Sequence, residues 1–202
     1  MIVEREVAAF LDKNLYSNTE IFSEFARTDS KDEQIRGSDV LLSTTDKKLY
    51  RNIVDEKVAI SRANRDLPTF ALELSFINKA GKKQIGWFVD SSKTTEYYLF
   101  GWIVKADIPF IEKTGKWDYH KMKCDDIKHF QWALVSRQKI MKFLEKRGWT
   151  LEKIARQVDA ILERGYAKNQ KTFIDDVSFF YTTNNFINHT CKNDLLCYKM
   201  GK

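Results

Sequence analysis

Between residues 39 and 111 the chain alternates short apolar or β-branched runs with polar turns, and this rhythm limits what it can fold into more than any other feature. The sharpest run has Phe70, Leu72, Leu74 and Phe76 alternating with Ala71, Glu73 and Ser75. Period-two alternation sends every second side chain to one side, so residues 69–76 are expected to form a strand with one apolar face. Residues 39–43 make a shorter run bounded by Thr44-Thr-Asp-Lys-Lys48, and residues 50–60 carry Ile53, Val54, Val58 and Ile60. These two are expected to pair as a hairpin. Residues 85–90 and 106–111 read as further strands, while the length of the apolar run 97–104 fits strand or helix. Ser91-Ser-Lys-Thr-Thr95 resembles a helix start, with Glu96 in the first turn.

Helix-like periodicity lies on either side of these runs. Val3, Val7, Phe10 and Leu11 recur at helical spacing with Glu4, Glu6 and Asp12 between them, predicting an amphipathic helix over residues 2–13. Ile21, Phe22 and Phe25 suggest a short helix over 20–27, and the polar stretch 28–37 reads as a loop closed by Gly37. Downstream, Ile127, Phe130, Ala133, Leu134, Ile140, Met141 and Leu144 trace a helical face up to Gly148, and a second helix is expected over 150–163. The expected class is α/β, a central mixed β-sheet flanked by helices, with a C-terminal helical region. Its core would occupy residues 1–111, with the basic helical region 112–202 packed on it in the same domain, a size suited to 202 residues.

Composition narrows the function classes. Hydrophobic residues make up 43% of the chain and only two prolines occur, which points to a packed globule rather than a linker or disordered segment. Charges in Met1-Ile-Val-Glu-Arg-Glu-Val do not suit a signal peptide, and no window approaches the roughly 18 uncharged apolar residues of a membrane span. A soluble, cytoplasmic protein with no membrane partner is the expectation. Cys124, Cys191 and Cys197, an odd set, are then expected to be reduced thiols. His189, Cys191 and Cys197 offer part of a zinc ligand set, but no fourth ligand or Cys-x-x-Cys pair accompanies them, so ordinary tail cysteines are the better reading. Residues 111–171 hold 15 Lys and Arg against 8 Asp and Glu, whereas residues 1–110 are nearly balanced. Such a block either draws a polyanion to the surface or is simply a solvated helical face.

The residues that carry chemistry lie in the expected hairpin. Asp39 opens one strand, and Asp55-Glu56-Lys57 sits within the next. Period-two geometry puts Asp55 and Lys57 on one face with Glu56 turned away, and a twisted hairpin brings Asp39 opposite them. Two carboxylates so close repel unless a cation lies between them, which makes this a natural Mg²⁺ site, with the Glu56 backbone carbonyl a further ligand. Four acid-x-Lys matches occur, but those at Asp29 and Asp46 fall in polar turns and that at Asp126 at a helical start. Only Asp55–Lys57 lies inside a β-branched run. The plain alternative is a solvated, charged hairpin edge.

The order helix, Gly-x-Asp strand, (Asp/Glu)-x-Lys strand, further strand and helix resembles the restriction-endonuclease-like superfamily, the PD-(D/E)XK nucleases, over roughly residues 2–111. Ser38 stands where that family has its proline. The resemblance implies metal ligation by Asp39 and Asp55 and catalytic assistance from Lys57, with Mg²⁺ or Mn²⁺ as cofactor. DNA is the implied substrate and partner, and assembly as a homodimer is left open. It also implies a further acid from the first helix, Glu4 or Glu6, while Glu73 on the following strand is another candidate. The alternative is a catalytically inactive nucleic-acid- or protein-binding module of the same fold. A helix-turn-helix over 126–164 is a third reading. Trp87, Trp102, Tyr97 and Tyr98 sit in apolar runs, where core packing is favoured over base stacking. His120, His129 and His189 form no pattern with a serine or cysteine, and no Gly-rich phosphate loop is present.

Overall fold

The computed structural model of the protein describes residues 2–65, 72–78, 80–146, 148–154, 156 and 196–200. The protein is α/β. Its N-terminal apolar stripe forms α1 (Ile2–Leu11) and buries Val3, Val7 and Leu11. The helix widens into one π turn over Asp12–Tyr16, marked by the Ser17 N–H bonding to the Asp12 carbonyl five residues back. Leu15 and Tyr16 are buried there.

Strands β1 (Phe22–Arg27), β2 (Val40–Thr44) and β3 (Asn52–Val58) form an antiparallel meander, with α2 (Lys31–Ile35) between the first two. Ser30 caps α2, and Gly37, at φ 81°, turns the chain out of it toward β2. The hairpin expected from residues 39–60 is therefore present, with Val40 opposite Val54. Next come β4 (Ser75–Ile77), β5 (Lys83–Ile85), β6 (Tyr97–Ala106), β7 (Phe110–Ile111), β8 (Lys116–Trp117), β9 (Ile127–Ser136), α3 (Arg137–Lys146) and β10 (Leu196–Met200). One mixed sheet has the order β1-β2-β3-β6-β9-β10, and β6 runs parallel to β3.

The chain divides into two units. The first comprises residues 1–67, 95–135 and 197–202, and so extends on both sides of residue 111; the second comprises 68–94 and 136–196. In the first, α1 and the π turn pack with Phe22, Val40, Leu42, Val54, Leu99 and Leu134 in one continuous apolar core. In the second, β4 and β5 pair as a small hairpin. Here α3 buries Ile140, Phe143 and Leu144, and its Arg137 guanidinium donates to the carbonyls of Phe88, Asp90 and Lys93.

Several expected elements take another form. Residues 20–27 are not helical: a register shift between Phe22 and Glu24 inserts a bulge in β1. The bulge lets Phe22 and Phe25, three residues apart, both pack against Tyr16, so the three-residue spacing is that of an irregular strand. The expected loop 28–37 contains α2. Residues 91–95 start no helix; Asp90 accepts from both the Ser92 N–H and hydroxyl, closing a turn. The ambiguous run 97–104 is a strand.

The helix expected from Asp125 begins only at Arg137, because Ile127–Ser136 is β9. Its residues 132–136 are all buried, and with both faces covered the period-two signal disappears. The first helix of the proposed helix-turn-helix therefore loses its first half, and most of the second lies outside the described residues. The basic block is likewise divided between the two units. Lys121 pairs with Asp118, Lys123 with Glu6 and Lys128 with Asp107. No helix among the described residues is long and apolar enough to cross a membrane.

Leu42 is fully buried where α1 meets the sheet, while Ile2 is 72% exposed. Leu42→Ala is expected to lower stability by about 2–5 kcal/mol and Ile2→Ala by less than about 0.5 kcal/mol. Chemical denaturation of both variants checks this, and equal losses would contradict the packing described.

Candidate active site

The site starts from the register of β2 and β3. Asp39 immediately precedes β2, and its N–H donates to the Val54 carbonyl at 3.0 Å. Its position is fixed from both sides. The Asp39 carbonyl accepts the Thr28 N–H at 3.1 Å, and the preceding Gly37 carbonyl accepts the Thr95 hydroxyl at 2.8 Å. Asp55 lies on the neighbouring strand with only 3% of its surface exposed. The Asp39 carboxyl is near enough to act on its titration. Lys57, two residues on and on the same face, places Nζ 2.6 Å from Asp55 Oδ1. The structure therefore brings together the three residues that the sequence pattern singled out.

Burial dominates the electrostatics of Asp55. In the parallel pairing Tyr98 lies beside Asp55 and Phe100 beside Lys57, both buried aromatics. Loss of water pushes the Asp55 carboxyl from 3.8 up to about 7; Lys57 opposes the rise, and the neighbouring Asp39 carboxyl adds to it.

Glu56 points to the other side of β3. Its carboxylate accepts the Tyr16 hydroxyl at 2.6 Å and Arg27 Nη1 at 2.7 Å. Burial raises the Glu56 pKa, and the Arg27 charge works against that rise. Arg27 also donates through Nε to Asp12 at 2.9 Å and through Nη2 to the Ala8 carbonyl at 3.1 Å. The Glu56 main chain joins the first cluster, because its N–H donates to Asp39 Oδ2 at 2.8 Å. Sequence reasoning missed Asp12, Tyr16 and Arg27. The available signal was an arginine inside the apolar segment around Phe22 and Phe25, obscured by reading that segment as a helix.

A cleft of about 760 Å³ opens beside these groups. Glu4 and Arg5 of α1 line it, together with Arg27, Asp39, Glu56 and Lys57. Of the first-helix acids, Glu4 faces the cleft. Glu6 is turned away, accepting the Cys124 N–H at 3.0 Å and pairing with Lys123 at 3.3 Å. Glu73 belongs to the second unit, where its carboxylate accepts the Trp87 N–H. Tyr98 and Trp102 are buried core aromatics, and Tyr97 and Trp87 are half-buried. His189 and Cys191 lie outside the described residues.

The donor set suits a hard divalent ion. Asp39 and Asp55 offer two adjacent carboxyls, and the Asp55 pKa is raised first by burial and further by Asp39, a cost that a cation would relieve. Among the described residues, no cluster of three or more His, Cys, Asp and Glu side chains forms a metal cage. A bound ion would therefore complete its shell with backbone oxygen and water, as Mg²⁺ commonly does.

The Asp55 shift has a sign that can be measured. A carboxyl with a raised folded-state pKa binds its proton more tightly in the folded protein, so its contribution to stability is complete below about pH 4. It is lost as pH rises through about 7. Asp55→Asn removes this dependence, so in chelator the stability of the variant relative to the parent is expected to improve between pH 5 and 8. The gain should be about 2–4 kcal/mol, measured by urea unfolding at both pH values. Parallel pH profiles for the two proteins would contradict this.

No family model, curated protein or solved structure matches the chain.

Proposed function

We propose that the protein is a Mg²⁺-dependent nuclease that hydrolyses phosphodiester bonds in DNA, with Asp39, Asp55 and Lys57 at its catalytic centre and a core of the restriction-endonuclease-like kind. One observation carries the reading. The Asp39 and Asp55 carboxyls, from neighbouring segments of a hairpin, are close enough to influence one another, an ammonium group sits 2.6 Å from Asp55, and Asp39 and Lys57 line a polar cleft. The residue types and their spacing in the sequence support the same reading.

Asp39, Asp55 and the Glu56 carbonyl would hold the cation. When bound it supplies a Lewis acid for a phosphate oxygen and lowers the pKa of a water. Lys57 lies where it can stabilise negative charge gathering on the phosphate oxygens. In the overall reaction water adds to phosphorus, the bond from phosphorus to the leaving oxygen breaks, and that oxygen gains a proton. Arg5 lines the cleft and adds positive charge along the approach of the phosphate backbone.

A second reading, a binding module without turnover, is favoured by one feature. Asp39 Oδ2 already accepts the Glu56 N–H, and Asp55 Oδ1 already accepts from Lys57. In that case the three side chains simply brace the strand ends.

The two readings separate experimentally. The nuclease reading expects plasmid and oligonucleotide DNA to be cut with Mg²⁺ or Mn²⁺, faster at pH 8 than at pH 6 because Asp55 must lose its proton. Asp55→Asn and Lys57→Ala are expected to lower the rate at least about 100-fold without unfolding the protein. DNA that stays intact with either ion, yet binds equally well in chelator and to Lys57→Ala, would establish the binding module instead.

A further inference from the structure

Glu56 sits between Asp55 and Lys57 in sequence, yet its side chain faces away from them. Both its oxygens are engaged, Oε1 by the Tyr16 hydroxyl at 2.6 Å and Oε2 by Arg27 Nη1 at 2.7 Å. Arg27 is held in turn by Asp12 and by the Ala8 carbonyl. Asp12 and Tyr16 are the two ends of the π turn, an uncommon winding often associated with functional sites. Stability alone is a weak reason for such a network, because buried ion pairs can often be replaced by apolar side chains without loss.

Its remaining link is the informative one. The residue whose carboxylate is clamped donates its own N–H to Asp39 Oδ2 at 2.8 Å. Side chain and peptide share one Cα, so immobilising the carboxylate restrains the tilt of the peptide that holds Asp39.

We infer that Arg27 and Tyr16 are positioning residues. By clamping Glu56 from the opposite face of β3, they fix the peptide that orients Asp39 and so set the spacing of the Asp39–Asp55 pair. The inference rests on reading that pair as a cation site. It assigns the π turn a part in the site: it supplies Tyr16 directly and anchors Arg27 through Asp12.

The test uses the full chain and Mn²⁺ alone. Tyr16→Phe removes one hydroxyl and keeps the ring. Arg27→Lys keeps the charge but loses the fork, and Arg27→Met loses both. Thermal melts establish which variants are folded. In metal-free protein the Glu56 amide proton resonance reports its bond to Asp39 and is expected to move upfield in Tyr16→Phe. Mn²⁺ affinity, followed by the loss of the free-ion paramagnetic resonance signal, is expected to weaken about tenfold in Tyr16→Phe. Arg27→Lys should bind better than Arg27→Met. If Arg27→Met does not fold, Tyr16→Phe decides.

Wild type that binds Mn²⁺, with affinity lost in Asp39→Asn but unchanged in folded Tyr16→Phe and Arg27→Lys, overturns the positioning role and leaves the cation site standing. Wild type that binds no Mn²⁺ overturns both.

Discussion

Burial of the Asp55 carboxyl is the constraint on which the candidate site depends. A carboxylate removed from water is costly, and a second carboxyl beside it deepens the cost. A proton, a cationic side chain, hydrogen-bond donors or a metal ion can offset it at short range. In this protein the ammonium of Lys57 is supplied by the same strand, two residues on, because period-two geometry returns the chain to the same face. The opposing acid comes from the next strand through the antiparallel register. The arrangement follows from strand pairing as much as from side-chain chemistry.

The two faces of β3 handle charge differently. On one, Asp55 lies beside Tyr98 and Lys57 beside Phe100, and the pair of acids is offset by a single ammonium. On the other, Glu56 is met by a guanidinium and a phenol, and both of its oxygens have partners. Burial alone would push the Arg27 guanidinium down; Glu56 and Asp12 more than reverse this, and it remains firmly charged. Burial raises the carboxyl on both faces; Glu56 has a partner on each oxygen, whereas Asp55 has a second acid beside it and is pushed up to about 7. An incompletely compensated buried acid is the kind of group that recurs at functional sites.

The cleft is mixed in charge rather than basic, with Glu4, Asp39 and Glu56 set against Arg5, Arg27 and Lys57. Among the described residues downstream of 111, Lys121, Lys123 and Lys128 pair with Asp118, Glu6 and Asp107. In the proposed reading, the pull on a phosphate backbone would come from a few local cations and a bound ion, not from a broad positive surface. That places more of the proposed function on the carboxyl pair itself.

The sequence by itself determined the α1 stripe, the β2–β3 hairpin and the common face of Asp55 and Lys57, because each is a local periodicity that side-chain direction obeys without help. Tertiary structure alone decided the rest. Whether Ile127–Ser136 is strand or helix depends on its being covered on both faces, which erases the alternation that would have marked it. The bulge in β1 converts a helical spacing into a strand with two inward phenylalanines. The choice of Glu4 over Glu6 depends on which side of α1 meets the cleft. The clamp on Glu56 joins residues 12, 16, 27 and 56, brought together only when a π turn packs against two non-adjacent strands of one sheet. Contacts between distant segments leave no periodic trace in a sequence, because they are fixed by the packing of whole elements and not by the spacing within any one of them.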